Sequence, residues 1–454
     1  MEPERVAVLA ERPAAEDGRY VLYWMQQAQR AEHNHALEHA ITLANQRGQG
    51  VVVAFGLTDG YPDANARHYA FMLEGLRETA ATLARRGILL VLRRGDPAEV
   101  ALGLARHASL VVCDKGYLRH QRAWREQVAK GAGRLVLEVE GEVVVPVRLA
   151  SDKAEVGART LRPRILRLRE RFLQPLPEAP VRVPTLTLDL EGDLDPADPE
   201  GNLRVLKVDR SVPPSSRFKG GTAQARARLE AFLAEKLSGY AEGRNEPAAG
   251  QSSQMSPYLH FGHLSPVELA LAVASARPPG DPDRAAYLEE LIVRRELSHN
   301  FVTHNDRYDA FDGLPRWARA TLDRHRADPR PHLYGRQELE AGRTHDPYFN
   351  AAMREMRLTG FMHNYMRMYW GKKILEYSES PEAAHATALW LNNRHFLCGR
   401  DPNAYANVAW LFGQHDRPWT ERPVFGQVRY MNAKGLERKF DIAAYVRWAE
   451  GLEG

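Results

Sequence analysis

Short β-branched runs alternate with helical patterns over the first third of the chain, and this alternation restricts the possible folds more than any other feature. The apolar runs that are typical of buried strands lie at residues 20–24, 51–55, 88–92, 110–113 and 135–139. Helical periodicity appears between them, at residues 30–46, 64–86, 97–108 and 119–132. Strands that alternate with crossover helices form parallel sheets. We therefore expect an N-terminal α/β domain with a doubly wound, Rossmann-like parallel sheet.

The ligand of such a sheet cannot be identified from a phosphate-binding motif. The chain contains neither G-x-G-x-x-G nor G-x-x-x-x-G-K-[ST]. A nucleotide-like ligand at the switch point of this sheet would therefore be held without a phosphate loop.

The chain changes character after about residue 150. Residues 157–171 include Arg159, Arg162, Arg164, Arg167, Arg169 and Arg171, a pattern that is more typical of a solvated helix face than of a nucleic-acid site. Residues 173–202 are rich in Pro, Asp and Glu without a period, which indicates an extended linker. Long helical patterns follow at 222–236, 266–276, 284–301, 315–327, 348–376 and 381–391. We predict an α/β domain over 1–150, an interdomain linker over 151–215 and an all-helical domain over 216–454.

Composition excludes several classes of protein. The 454 residues include no apolar run long enough for a membrane span, and acidic Glu2 and Glu4 are unlike a secretory signal. Two cysteines, Cys113 and Cys398, cannot form a disulfide framework, which favours a reducing, cytoplasmic environment. Residues 35–39 spell H-x-x-E-H, but no third ligand is evident, so we predict no metal site.

A serine-rich segment precedes a proline-started helix in the second half of the chain. It comprises Ser252, Ser253, Gln254, Met255 and Ser256, followed directly by proline, and its three serines supply hydroxyl groups. Free backbone N–H groups and hydroxyls at such a position suit a pyrophosphate, although the pattern alone is more typical of an ordinary capped helix.

Further blocks follow in a fixed order: 289–297 (EELIVRREL), 344–347 (THDP), 367–375 (RMYWGKKIL), 399–403 (GRDPN) and 421–426 (ERPVFG) with 429–432 (RYMN). Together with the serine cluster, this series resembles the photolyase and cryptochrome family from the first strand to the last helix, and the class II cyclobutane pyrimidine dimer photolyases in particular. The resemblance implies light-driven repair of UV-damaged DNA by reduced FAD. It also implies that 1–150 is an antenna-type domain with a possible second chromophore, a deazaflavin or a folate, and that 216–454 binds FAD.

The family's site residues are transferred only where its motifs match this chain. The FAD-binding positions are Tyr240, Ser252, Ser253, Gln254, Met255, Ser256, Arg295, Arg367, Asn392 and Asp401. The positions implied to act in catalysis are Glu290, Arg367, Trp370 and Asn392. The positions implied to contact the flipped dimer or the gap that it leaves are Arg244, Asn245, Glu290, Met368, Trp410, Arg417, Trp419 and Arg429.

Two departures from the family pattern are expected to matter. Trp370 matches the flavin-proximal member of a tryptophan relay, but Phe349 and Tyr377 replace the next two, so the relay is predicted to be interrupted unless Trp390 offers a detour. Cys398 replaces the aspartate that the family pairs with the arginine at position 367. Arg367 would then lack a carboxylate partner and favour anionic forms of a bound flavin.

Three functions remain open from the sequence. The first is dimer photolyase activity, and the second is a cryptochrome-type flavin photoreceptor. The third is repair of another lesion such as the 6-4 photoproduct, for which His363 and His415 are candidate residues, or DNA binding without turnover. A monomer is expected, acting in the cytoplasm at the nucleoid or, in a eukaryote, in the nucleus.

Overall fold

A six-stranded sheet forms the N-terminal part of the computed structural model, which describes residues 1–453. Its strands are β1 (Val6–Ala10), β2 (Tyr20–Trp24), β3 (Val51–Leu57), β4 (Leu89–Arg94), β5 (Ala108–Asp114) and β6 (Leu135–Val139). They lie in the order β1-β6-β5-β2-β3-β4, and β2 to β6 are mutually parallel. The predicted fold class is confirmed. The correction is β1, an antiparallel edge strand that the sequence pattern missed because edge residues such as Val8 are exposed and share no buried alternation.

Six helices accompany the sheet. They are α1 (His35–Gln46), α2 (Ala66–Arg85), α3 (Pro97–Ala105), α4 (Arg119–Gly131), α5 (Val147–Ala150) and α6 (Ala158–Phe172). Asn34 and Asp96 accept backbone N–H groups at the starts of α1 and α3, which fixes where these helices begin. The chain reverses its direction of winding between β2 and β5, so the carboxyl ends of these strands form the switch point.

The elements that follow α6 in the described chain are all helices, and they are joined by loops. They are α7 (Pro199–Val205), α8 (Thr222–Ala231), α9 (Tyr240–Gly243), α10 (Ser256–His260), α11 (Pro266–Ala276), α12 (Pro282–Leu288), α13 (Arg295–His304), α14 (Arg316–Arg324), α15 (Arg336–Ala341), α16 (Pro347–Thr359), α17 (Asn364–Tyr377), α18 (Pro381–His395), α19 (Pro402–Leu411), α20 (Ala433–Lys439) and α21 (Ile442–Glu450). Short 3₁₀ turns cover Pro3–Arg5 and Phe311–Gly313, and π-helical turns cover Phe232–Lys236 and Glu289–Arg294. No helix within residues 1–453 has the length and apolar character needed to cross a bilayer.

Two predicted helices are corrected by these boundaries. The helix predicted over 348–376 is two helices, because Gly360 adopts φ 77° and ends α16 in the left-handed conformation that glycine allows. The helix predicted over 284–301 contains the π turn Glu289–Arg294, which joins α12 to α13 and admits an extra residue per turn. Sequence periodicity does not report either event.

The extended segment after α6 covers the edge of the sheet. Thr185 is buried, and its hydroxyl donates to the Val51 carbonyl and accepts the Leu89 N–H. Arg93 donates to the Glu191 carbonyl in the same way. This segment therefore protects β4, which would otherwise present an open edge. The boundaries at 150 and 215 stay predictions.

Arg67 on α2 connects the sheet to the helical part. The side chain is 1% exposed, and its guanidinium donates to the carbonyls of Pro213, Met356, Arg357 and His395. Three of these carbonyls lie in the last turns of α16 and α18, where intrahelical donors run out, although Met356 also accepts the Gly360 N–H. Burial lowers the pKa of Arg67 to about 10, so the group stays charged at neutral pH.

We expect Arg67→Met to destabilise the protein by about 2–4 kcal/mol, because several buried carbonyls lose their donor at once. Urea unfolding followed by circular dichroism measures the change. Arg85→Ala, on the exposed end of the same helix, should change stability by less than about 0.5 kcal/mol. Equal losses in the two variants would contradict the assigned role of Arg67.

Lys372 is a second buried cation, in the middle of α17. Its side chain is fully buried, and Nζ donates to the carbonyl of Leu411, the last residue of α19, at 2.5 Å. Nζ also lies 5.1 Å from the centre of the Trp410 ring. Desolvation lowers the pKa of Lys372 to about 7, despite the attraction of Asp416.

This pKa predicts a pH dependence of stability with a definite sign. Between about pH 7 and pH 10 the unfolded lysine keeps its proton and the native one loses it, so stability rises with pH over that window. Lys372→Met should remove this contribution, which urea unfolding at several pH values measures as a growing difference between the two proteins. Lys130→Met, at an exposed site, should stay parallel to the parent. Parallel curves for Lys372→Met would contradict the prediction.

Candidate functional site

One cleft joins five of the predicted site residues. Arg367, Met368 and Trp370 on α17, Asn392 on α18 and Trp410 on α19 line a space of about 390 Å³. Trp370 and Asn392 are buried, whereas Arg367, Met368 and Trp410 are half-buried and face the opening. The three helices pack against one another, so residues distant in sequence share one wall.

Arg367 contacts Cys398, the residue that stands in place of the family's aspartate. Its Nη1 donates to Sγ of Cys398 at 3.3 Å, and its Nε donates to the Met362 carbonyl at 2.9 Å. The guanidinium lies 3.9 Å from the centre of the Phe396 ring. No carboxylate lies within 4 Å of it among residues 1–453, so this cation is open to an anionic or electron-rich group.

The serine cluster forms a turn beside Tyr240. The Tyr287 hydroxyl donates to Ser253 at 2.9 Å, and the Tyr240 ring packs against the ring of Tyr287. Gln254 has φ 56°, a conformation that is uncommon for a residue with a side chain, and it accepts from Arg228. Within residues 1–453 the half-buried hydroxyls of Ser252 and Ser256 make no hydrogen bonds. The turn therefore presents free donors next to an aromatic wall, with Met255 buried behind it.

Arg295 and Asp401 border a separate cleft of about 390 Å³, which also includes residues of the sheet domain such as Gln27. Arg295 donates to the Glu142 carbonyl at 2.7 Å. Asp401 accepts the Ala404 N–H at the start of α19, and desolvation raises its pKa to about 6. The structure does not place these two residues on the cleft that Arg367 lines.

Glu290 lies on the π turn and pairs with Arg244. The two charged groups are 2.7 Å apart, and both are about one-third exposed. The Arg244 carbonyl hydrogen-bonds to His363 Nε2, and His363 begins α17, so the exposed Arg244–Asn245 turn is tied to the helix that bears Arg367. The π turn thus directs Glu290 toward this turn and leaves its neighbour Glu289 on another side of the helix.

Trp410, Trp419, Arg417 and Arg429 form one cation–aromatic cluster. The Arg429 guanidinium lies 4.3 Å from the Trp419 ring centre and 5.3 Å from that of Trp410, and Arg417 lies 5.2 Å from Trp419. Asp416, which sequence reasoning missed, accepts from Arg429 at 2.9 Å and from the Trp419 indole. Although desolvation opposes it, the bond from Arg429 holds the pKa of Asp416 below its ordinary value.

Asp416 and Lys372 are the functional candidates that the sequence analysis overlooked. A signal existed for each. Asp416 directly precedes Arg417, and Lys372 lies in an apolar part of its helix, where a charged side chain needs a hydrogen-bond partner.

The predicted relay residues are all buried near α16 and α17. The Trp370 indole donates to the Met353 sulfur at 3.0 Å, and Phe349 is fully buried with its ring 6.0 Å from that of Tyr377. The Tyr377 hydroxyl donates to Asp346 at 3.1 Å. Trp390 lies apart, half-buried between the Arg336 and Arg394 guanidinium groups.

A further cavity of about 590 Å³ lies at the carboxyl ends of β2 and β3. Its lining combines sheet residues with residues of the helical part: Gln26, Gln29, Tyr61, His68, Tyr69, His260, Phe261 and Arg400. Asp114 accepts the N–H groups of Gln26, Gln27 and Ala28 and so fixes the loop at the switch point. Within residues 1–453, Gln26 Nε2, Gln29 Oε1 and Arg400 Nε are buried without partners. Buried polar atoms without protein partners beside aromatic side chains suit a ligand that offers hydrogen-bond donors and acceptors.

Comparison with known proteins agrees with this architecture. Residues 21–181 match the family described as DNA photolyase. A deoxyribodipyrimidine photo-lyase of Methanothermobacter thermautotrophicus is 48% identical and the alignment covers 96% of this chain and 95% of that protein. One from Oryza sativa subsp. japonica is 39% identical over 96% of this chain and 88% of that protein.

A solved class III photolyase of Agrobacterium tumefaciens superimposes with a TM-score of 0.74 at 21% identity, over 96% of this chain and 87% of that one, which supports the shared fold. The resemblance predicted from the sequence is confirmed at the level of the family. The relatives align over nearly the full chain at identities well above those of the fold neighbour. This chain belongs to the DNA photolyase family.

Proposed function

We propose that the protein splits cyclobutane pyrimidine dimers in UV-damaged DNA with light and bound FAD, in the manner of class II enzymes. The observation that carries this proposal is the single cleft in which Arg367 and Asn392, predicted to contact the flavin, adjoin Trp410, predicted to contact the dimer. Electron transfer between a cofactor and an extruded base needs such adjacency in a site from which water is excluded.

The residues present fit FAD. Ser252 and Ser256 offer unpaired hydroxyls for the phosphates, Arg367 offers a cation without a carboxylate, and the Asn392 amide donates only to Asn393 within the described chain. Reduced FAD, when bound, supplies an electron on absorbing light. The protein's own part is to hold the cofactor noncovalently, orient the dimer against it and keep the cleft dry.

The substrate residues have separable roles. We assign the Trp410 face to stacking on the extruded dimer, with Lys372 and Arg429 fixing the ring. Arg417, Trp419 and Arg429 fill the gap in the duplex, and Met368, Arg244 and Asn245 border the extruded bases. Glu290 hydrogen-bonds to the base edges once DNA displaces its pairing with Arg244.

The 590 Å³ cavity supports a second chromophore. Its place at the switch point, its aromatic wall and its unpartnered polar atoms favour a planar heterocycle such as a deazaflavin or a folate. This chromophore would act as a light-gathering antenna for FAD.

Repair is favoured over signalling by the substrate half of the site. A cryptochrome-type photoreceptor needs the flavin residues but has no use for the cluster of Trp410, Trp419 and Arg429. The 6-4 alternative is weakened because both ring nitrogens of His363 are hydrogen-bonded to backbone groups and His415 bonds to the Val156 carbonyl, so neither is a free proton donor in the cleft. We further propose a monomer that acts in the compartment that holds the DNA, the cytoplasm or a nucleus.

The decisive experiment is illumination of a dimer-containing oligonucleotide with protein whose flavin has been chemically reduced. Dimer splitting that requires light and reduced flavin supports the proposal. Unchanged dimer in the presence of bound, reduced flavin would refute it.

Glu290→Gln and Trp410→Ala should separate chemistry from binding. We expect Glu290→Gln to lower the splitting yield per photon severalfold with little change in affinity, because the carboxylate contacts the bases in the excited complex. Trp410→Ala should cost about 1–3 kcal/mol of affinity for damaged DNA through loss of stacking. Trp448→Ala, on the distant α21, is the matched control. Parental yield in Glu290→Gln would remove its assigned role.

The interrupted relay predicts slow photoreduction. With oxidised flavin and an external reductant, we expect slow reduction in light, and Phe349→Trp combined with Tyr377→Trp should speed it. Pre-reduced enzyme should repair equally well before and after this change, because splitting needs no relay. Tyr369 keeps its bond to Asp346 in the double variant, which limits structural loss.

Fast photoreduction in the parent would instead point to another route. A collapse in rate in Trp390→Phe would identify Trp390, and no effect there would assign transfer to tyrosines such as Tyr348 or Tyr377.

A further inference from the structure

The arginine-rich helix α6 has one face that the proposed function leaves unexplained. Ala158, Leu161 and Ile165 are buried against the helical core, so the arginines occupy the outer side. Four of the six have carboxylate partners: Arg162 with Glu289, Arg164 with Glu155, Arg169 with Glu170 and Arg171 with Glu4. Arg159 and Arg167 are exposed and have no carboxylate within 4 Å among residues 1–453.

Contacts place the first turn of α6 beside two segments that are proposed to contact DNA, and we call this surface the rim. Arg162 bonds to both oxygens of Glu289, at 3.0 and 2.7 Å, and Glu289 directly precedes Glu290 on the π turn. On the other side, His415 bonds to the carbonyl of Val156, two residues before α6 begins. His415 belongs to the loop of Asp416 and Arg417. The first turn of α6 therefore lies between the segment of Glu290 and the segment that is proposed to fill the gap in the duplex.

The charge of this rim is positive. Lys153, Arg159 and Arg417 are exposed and have no carboxylate partner in the described chain. The neighbouring carboxylates are compensated, because Glu289 pairs with both Arg162 and Arg294 and the buried Glu155 pairs with Arg164. Asp152 is exposed and offsets part of the charge of Lys153. Val156, in the loop just before α6, is 78% exposed, so this surface also includes an uncovered apolar side chain.

We propose that the first turn of α6 and the loop before it, through Arg159 and Lys153, contact backbone phosphates of the duplex that flanks the lesion. The inference rests on the proposed function, because it takes the cleft of Trp410 and Glu290 as the place of the extruded dimer. DNA that enters that cleft must continue past it, and unpaired exposed cations on the rim neutralise phosphates without reading sequence. Arg162 is a positioning residue that holds the helix against the π turn.

Salt titration tests this contact. Arg159→Ala should lower the magnitude of the slope of log K against log salt by about 1, and Arg159→Ala with Lys153→Ala by up to about 2. The loss should be equal for undamaged and dimer-containing duplexes. The splitting yield per photon at saturating enzyme should not change. Arg167→Ala, which removes the same charge from the same helix about two turns further on, should leave the slope unchanged.

Trimmed oligonucleotides locate the contact. The dimer is placed near one end of the duplex and then near the other, so that the phosphates on one side are missing each time. The effect of Arg159→Ala should disappear in one of the two DNAs only. An effect that persists in both, an unchanged slope, or an equal effect of Arg167→Ala would overturn the inference.

The outcomes also separate this inference from the function on which it rests. A parent protein that splits dimers while Arg159→Ala binds DNA normally refutes the α6 contact alone. If the parent splits no dimer, and the Arg159→Ala variant nevertheless shows the expected loss of salt-dependent DNA binding, the proposed reaction is refuted and the α6 contact is supported.

Discussion

Buried cations that donate to backbone carbonyls are the interactions on which the rest of this structure depends. Arg67, on a helix of the sheet domain, donates to carbonyl groups at the ends of α16 and α18. Lys372 donates to the last carbonyl of α19, next to Trp410. Arg5 donates in the same way to carbonyls in the segment that follows β6 and at the end of α6, those of Glu140, Val143, Val144 and Phe172. A helix end buried without a donor is costly, and a cation attracted to the negative end of the helix dipole stabilises it. Lys372 thus fixes the end of the helix that carries Trp410.

The same segment that Arg5 fixes is also held from the helical side. The carboxyl group of the buried Glu296 on α13 accepts the N–H groups of Val144 and Val145. α13 continues directly from the π turn that bears Glu290. The position of Glu290 beside Arg244 is therefore connected through one helix to the junction between sheet and helices. This connection explains how a side chain that is one-third exposed can still have a defined place.

Local irregularities position much of the candidate site. Glu290 lies on a π turn, and Gln254 has a left-handed backbone conformation. Arg367 lies on the helix that starts after the break at Gly360, where His363 caps the new helix. Each irregularity is stable because surrounding packing compensates its local cost, a common property of functional sites. The cation–aromatic cluster of Trp410, Trp419 and Arg429 likewise requires Asp416, since two arginines beside two indoles would otherwise leave positive charge uncompensated.

The alternation of strands and helices could be predicted from the amino-acid pattern alone, and strands β2 and β6 have the predicted ends, because continuous apolar β-branched runs leave few alternatives. The amino-acid sequence also identifies the family, since ordered motifs extend over nearly the whole chain. Other features became visible only in the folded chain: the edge strand β1, the break at Gly360, the π turn at Glu289–Arg294, the contacts of Lys372 and Asp416 and the packing of α6 against that turn. Arg295 and Asp401, grouped with Arg367 by motif, border a neighbouring cleft, and the charge of Arg367 still acts on Asp401. The physical reason is that periodicity reports which side of an element is buried, whereas these features depend on which distant groups meet there and on the charges and hydrogen-bond partners that they bring.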